Sequence, residues 1–182
     1  TLVANDVLGG GYSARLNQEI RIKRGLSYGA SSSIASRKHR APVIAAAQTR
    51  NAAVAQVVDL MSGELGRLGA TPVPADELTS RKAVLIGDFG RAVETTAGLA
   101  GELSALAQFG LPLAKLQTYA ADVAAVTPEQ AAKAAKDYFD PATASIIVVG
   151  DAKVFLAPLQ TRFPRLQQLV IDKLNLDSAT LE

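Results

Sequence analysis

The spacing of apolar residues divides the chain into a short helix, a helix-to-hairpin stretch, a long helical region and a mixed C-terminal segment. Residues 1–8, TLVANDVL, carry Leu2, Val3, Val7 and Leu8 at helical spacing and stop at Gly9-Gly10-Gly11, since glycine is the usual helix terminator. The chain thus opens inside a helix, which predicts an N-terminally truncated domain. The truncation would leave an apolar edge beside that helix, and an uncovered edge recruits another chain. Tyr12, Leu16 and Ile20 recur at i, i+4 and i+8 and predict a second helix over Ser13–Lys23. Glu19 can pair there with Arg15 and Lys23, and Gly25 closes the helix. Arg21, Lys23 and Arg24 fall in its last turn, where the helix dipole favours cations.

Leu26–Arg37 and Ala41–Arg50 read as two strands joined by a charged hairpin turn, Arg37-Lys38-His39-Arg40. Both are built from small residues, so one sheet face has room above it for a helix or an extended peptide. Alternation puts Tyr28 on the face of Ala30, Ser32 and Ile34. From Asn51, a plausible N-cap, the pattern turns helical. Val54, Val57, Val58, Met61, Leu65 and Leu68 keep the helical period up to Gly69. Further helices are predicted from Pro74 to Phe89, Val93 to Phe109 and Ala114 to Val123. Another follows Thr127-Pro128-Glu129-Gln130, a capping box with proline at the first helical position. ASIIVV at 144–149 reads as a central strand, Val154–Phe163 as a helix and Leu166–Leu174 as an edge strand. The order predicts an α+β fold over 1–182 as one domain, with helices packed on one face of a mostly antiparallel sheet.

Composition narrows the function more than it names it. The 182 residues carry a net charge of +2 with a sequence pI near 9.0, and no face interleaves basic and aromatic residues as a nucleic-acid binder would. The chain has no cysteine and one histidine, His39. That removes disulfide scaffolds, thiol nucleophiles and, with no H-x-x-E-H or H-E-x-x-H, a histidine-based zinc site within this chain. No G-x-S-x-G elbow is present. No apolar run approaches the roughly 20 residues that span a bilayer. Gly9-x-Gly11-x-x-Ala14 matches a dinucleotide fingerprint, but Asn5 and Asp6 interrupt the run before it and the next strand has no carboxylate.

One pair remains as candidate chemistry. Arg21 stands seven residues before Tyr28, across a helix-to-strand junction. The two are open to a plain interpretation, a dipole-satisfying arginine and a half-buried strand aromatic. They are also open to a functional one, a guanidinium and a phenol facing one cleft, suited to a backbone carbonyl or an oxyanion.

The stretch LGGGYSARLNQEIRIKRGLSYGASSS, residues 8–33, resembles the second, non-catalytic domain of pitrilysin/insulinase-type zinc metallopeptidases. These are the inverzincins, which share a fold with mitochondrial processing peptidase. Thr49-Arg50-Asn51, the P-x-x-x-E-L start at Pro74–Leu78, Thr127-Pro128-Glu129 and IIVVGD at 146–151 extend the resemblance along most of the chain. The resemblance implies that catalytic zinc sits on H-x-x-E-H plus a distal glutamate in a preceding domain. It also implies that the second domain closes over a peptide substrate, with Arg21 and Tyr28 as its catalytic contributions; Arg24 is given no catalytic role. No metal or cofactor is expected in this chain, and zinc is expected in a missing or partner catalytic domain. A homo- or hetero-oligomer follows, with a bacterial source and a periplasmic or cytoplasmic setting, of which the family resemblance favours the periplasm. The alternatives are a structural or assembly module of the same fold, and a dinucleotide-binding domain.

Overall fold

The computed structural model describes residues 1–37, 39, 41–175 and 177–179. Helix α1 (Leu2–Leu8) leads through the glycine triplet to α2 (Arg15–Asn17), which continues as a π-helical turn over Gln18–Ile22. Strands β1 (Ser27–Ile34) and β2 (Val43–Thr49) follow. A 3-10 turn, Asn51–Ala53, feeds α3 (Val54–Ala70), and then come α4 (Ala75–Val93), α5 (Thr96–Gln108), α6 (Ala114–Ala124) and α7 (Pro128–Tyr138). A 3-10 turn at Pro141–Thr143, helix α8 (Ala152–Arg162) and a last 3-10 turn at Ile171–Lys173 complete the order. This is an α+β fold whose sheet, among the described residues, is the antiparallel pair β1–β2.

Helix α1 is the hub. Val3 through Leu8 are all buried, and the helix touches β1, α2, α3, α4 and α7. A helix enclosed on all sides needs apolar residues around its circumference, and Val3, Ala4, Val7 and Leu8 supply them. Val3, Val7 and Leu8 therefore do not form the uncovered edge expected from the sequence. Helices α3, α4 and α7 bury them, and only Leu2 is exposed. Leu16 and Ile20 enter the same core together with Leu68, Leu78 and Phe139.

The C-terminal end of α1 is stitched to β1. Ser32 donates its amide to the Gly9 carbonyl at 2.9 Å and its hydroxyl to the Asn5 carbonyl at 3.3 Å, while Asn5 Nδ2 donates to the Ser32 carbonyl at 3.4 Å. A Cβ at Gly9 would stand 2.3 Å from the Ser32 nitrogen, so only glycine admits this approach. The space above the small residues of β1 is thus filled by the end of α1. Gly69 plays a comparable part. It lies inside α3 rather than ending it, and a Cβ there would stand 3.0 Å from the Lys136 backbone of α7.

Two expected strands are absent. Residues 144–149 form neither strand nor helix, and Leu166–Leu174 holds only the 3-10 turn Ile171–Lys173. Among the described residues neither run has a neighbouring strand to pair with, and an unpaired strand is not stable by itself. Asn51 opens a 3-10 turn without a side-chain cap bond. The Thr127 capping box forms in full, with Gln130 N–H on Thr127 Oγ1 at 3.2 Å and Thr127 N–H on Gln130 Oε1 at 3.0 Å. The link between β1 and β2 contains Arg37 and the exposed His39; Lys38 and Arg40 of the expected hairpin turn lie outside the described residues.

Candidate functional site

Arg21 and Tyr28 meet. The Arg21 Cζ lies 4.8 Å from the Tyr28 ring centroid, and the Tyr12 ring is at nearly the same distance, 5.0 Å. Three different local structures deliver these side chains.

Arg21 comes from the π turn. Lys23 N–H reaches five residues back to the Gln18 carbonyl at 2.9 Å, which widens the helix by comparison with an α turn. Gly25, at φ +59°, then ends the helix in the left-handed conformation that favours glycine, with its amide on the Arg21 carbonyl at 2.9 Å. Glu19 takes Lys23 and Arg24 as partners, not Arg15. Those two cations hold its carboxyl below the usual range through hydrogen bonds. Arg15 instead grips Glu77 of α4 through both carboxylate oxygens, at 2.9 and 2.7 Å. With Glu19 occupied, Arg21 has no ion pair among the described residues.

Tyr28 comes from a β-bulge. Ser27 faces Thr49 and Ala30 faces Ala47, so three steps on β1 match two on β2. Ser27 Oγ secures the extra residue by accepting from Gly29 N–H at 3.1 Å and donating to the Gly29 carbonyl at 2.6 Å. A bulge re-aims the side chains beside it. Ala30 and Ser32 are buried under α1, whereas Tyr28 is 88% exposed. The simple alternation that put Tyr28 on their face does not hold across the bulge. Tyr28 borders a shallow hollow of about 360 Å³ with Gly25, Leu26, Ser27, Gln48, Thr49 and Arg50.

The helical spacing that places Tyr12 on the apolar stripe of the second helix does not hold. Tyr12 precedes the helix and is 65% exposed, while Leu16 and Ile20 are fully buried. Its position directly after three glycines was the available clue, because a helix seldom begins at such a triplet. Buried Asn17 connects the parts: its Nδ2 donates to the Tyr12 carbonyl at 2.6 Å and its Oδ1 accepts the Ala30 amide at 3.3 Å. Arg81 of α4 holds the adjacent Ser13 by its carbonyl at 2.6 Å and its hydroxyl at 2.9 Å.

Behind this loop lies a buried polar group of a different kind. Asp6 Oδ2, Asn5 Oδ1 and Arg81 Nε are buried without a hydrogen-bond partner. Burial pushes the Asp6 carboxyl up, against the pull of Arg81 and with a lesser push from Asp88. The glycine triplet that suggested a dinucleotide follows a helix, not the strand the fingerprint requires.

No helix among the described residues is long and apolar enough to cross a membrane. Among the described residues, no side chains are placed to hold zinc. His39 is the one histidine, it stands exposed in the β1–β2 link, and among the described residues no three His, Asp or Glu side chains could hold a metal together.

Residues 1–85, from α1 into α4, match the family model of the peptidase M16 inactive domain. The fold is similar to that of a peptidase M16 inactive domain from Pseudomonas fluorescens, with 29% identity and a TM-score of 0.70 over 76% of this chain and 34% of that one. It is also similar to a conserved protein from Enterococcus faecalis V583, with 24% identity and a TM-score of 0.66 over 74% of this chain and 31% of that one. A protease from Helicobacter pylori shows the same fold, with 24% identity and a TM-score of 0.61 over 76% of this chain and 34% of that one. No curated protein matches. The chain spans about a third of the length of these solved structures. In sequence over its first 85 residues, and in fold over three-quarters of its length, the chain resembles the non-catalytic domain of the M16 peptidases.

Proposed function

We propose that this chain is the substrate-facing, non-catalytic part of a zinc-dependent metalloendopeptidase, and that Arg21 and Tyr28 act on the scissile carbonyl of a peptide held against it. One observation carries this reading. Arg21 lacks a counter-ion among the described residues and stands beside a Tyr28 ring that is almost wholly exposed. A tyrosine serving only the core would be covered, and an arginine serving only the helix end would take a nearby carboxylate, as Arg24 takes Glu19.

In this reading the zinc belongs to another stretch of the same polypeptide or to a partner subunit, and this chain alone is inactive. The phenol hydroxyl of Tyr28 donates to the carbonyl oxygen as negative charge develops there. The planar N–H fork of Arg21 holds the same carbonyl or its neighbour in a fixed plane. The peptide lies on the exposed side of β1 beside Tyr28, since the Ala30–Ser32 side is closed by α1.

A hydroxyl aimed at a developing oxyanion contributes on the order of 3 kcal/mol, or about a hundredfold in rate. In the assembled peptidase, Tyr28→Phe should therefore lower kcat with KM nearly unchanged. Arg21→Ala should lower kcat and raise KM, because a backbone grip acts on bound substrate as well. Steady-state hydrolysis of an internally quenched peptide reads both. Full turnover by Tyr28→Phe would leave this chain as a structural or assembly module of the same fold.

A further inference from the structure

The Tyr12 side chain is exposed, yet its backbone is among the most firmly held in the loop. Asn17, itself buried, ties the Tyr12 carbonyl to the Ala30 amide just past the bulge. Arg81 fixes Ser13 next door through two hydrogen bonds. Loop backbone held this closely gives its side chain a defined direction, and the Tyr12 ring is directed at Arg21, 5.0 Å from Cζ. Tyr28 approaches the same guanidinium to 4.8 Å. Lys23 and Arg24 occupy the Glu19 carboxylate, so no ion pair competes with the rings for Arg21 among the described residues.

We infer that Tyr12 is a positioning residue for Arg21: its ring holds the guanidinium plane so that the N–H edge, and not the face, is offered to a peptide carbonyl oxygen. A guanidinium is drawn to the face of an aromatic ring, whereas its hydrogen bonds leave in its own plane. A ring that takes the guanidinium's face leaves that edge free. The role rests on the ring of Tyr12 and not on its hydroxyl, which separates it from the proposed role of Tyr28. Its functional half rests on the reading that Arg21 faces substrate; the positioning itself does not.

The test uses this chain with its arginine side chains labelled for NMR, as wild type, Tyr12→Phe, Tyr12→Trp and Tyr12→Leu. The two aromatic variants should keep the ring-shifted Arg21 Nε–H resonance. Tyr12→Leu should move it toward the free-arginine position and depopulate the ring-contact conformer about two- to fivefold, as expected for an exposed cation–ring contact. In the assembled peptidase the same leucine variant should lower kcat for an internally quenched peptide by a similar factor, with Tyr12→Phe restoring it. An unmoved Arg21 resonance in Tyr12→Leu overturns the inference, and so does an equal loss in Tyr12→Phe. If the resonance moves as stated while Arg21→Ala hydrolyses the peptide at the wild-type rate, the substrate reading fails and the positioning role stands.

Discussion

VIAAAQT at 43–49 and ASIIVV at 144–149 are apolar runs of similar length, and the second is richer in β-branched residues. Only the first is a strand. Strand β2 pairs with β1 from Val43 to Thr49, whereas Ser145–Val149 neither donates nor accepts a backbone hydrogen bond among the described residues. The second run still alternates: Val148 packs on Val54, Val58, Phe155 and Leu159, while Ile147 and Val149 are 86% and 93% exposed. Alternation is written locally, but pairing is not. A strand exists where a partner supplies the cross-strand contacts, and β1 supplies them to one run only.

The sharpest contrast between the two regions lies in what each tolerates. Gly9→Val places a side chain where a Cβ already meets the Ser32 amide. It should destabilise the chain by about 3 kcal/mol, the upper range for overpacking, as read from the urea midpoint. A loss under about 1 kcal/mol would mean that α1 and β1 are loosely joined and the contrast is false.

A second effect shows only as a slope. The native state holds the Asp6 proton more tightly than the unfolded chain does, because burial raises its pKa above 3.8. Such a group favours the fold most at pH below that ordinary value and loses the advantage as pH rises through the raised native value. The stability of wild type relative to Asp6→Asn should therefore fall across that window, in thermal melts taken from about pH 3.5 upward. Glu19, whose pKa is lowered, works in the opposite direction, and it cancels in the difference. A difference that rises with pH would show that the attraction of Arg81 outweighs desolvation.

The smallest effect belongs to the unpaired run. Ile147→Ser should shift stability by less than about 0.5 kcal/mol, as for a surface site. A cost above about 2 kcal/mol, typical of a buried aliphatic, would show that something covers residues 144–149 in solution.

What the sequence disclosed follows the same division. The helices of the middle region were readable because caps and periodicity act within a few residues, as in the Thr127–Gln130 box and the spacing from Val54 to Leu68. The stretch carrying Arg21 and Tyr28 was readable for the same reason, with Gly25 closing the helix where expected. The bulge, the place of Tyr12 and the closed face of β1 were not, because they depend on distant partners. Asn17 reaches Ala30, Gly9 meets Ser32, and Arg81 crosses from α4 to Ser13. The Arg15–Glu77 pair spans 62 positions in sequence and displaced the local Arg15–Glu19 pair that helical spacing suggested.

The π turn and the β-bulge share a property that bears on how Arg21 and Tyr28 come to meet. Each is a place where the chain carries one surplus residue over what regular geometry uses. Without the surplus in the helix, Arg21 would swing by about 100° around the axis. Without the surplus in the strand, β1 would match β2 step for step between Ser27 and Ala30, and the local bend beside Tyr28 would be lost. The interval of seven between Arg21 and Tyr28 is counted across both insertions. A chain that lost one would still carry an arginine and a tyrosine, on a backbone that no longer presents them in this way. The length of the 15–34 stretch therefore matters to the meeting of Arg21 and Tyr28 as much as the residues it carries.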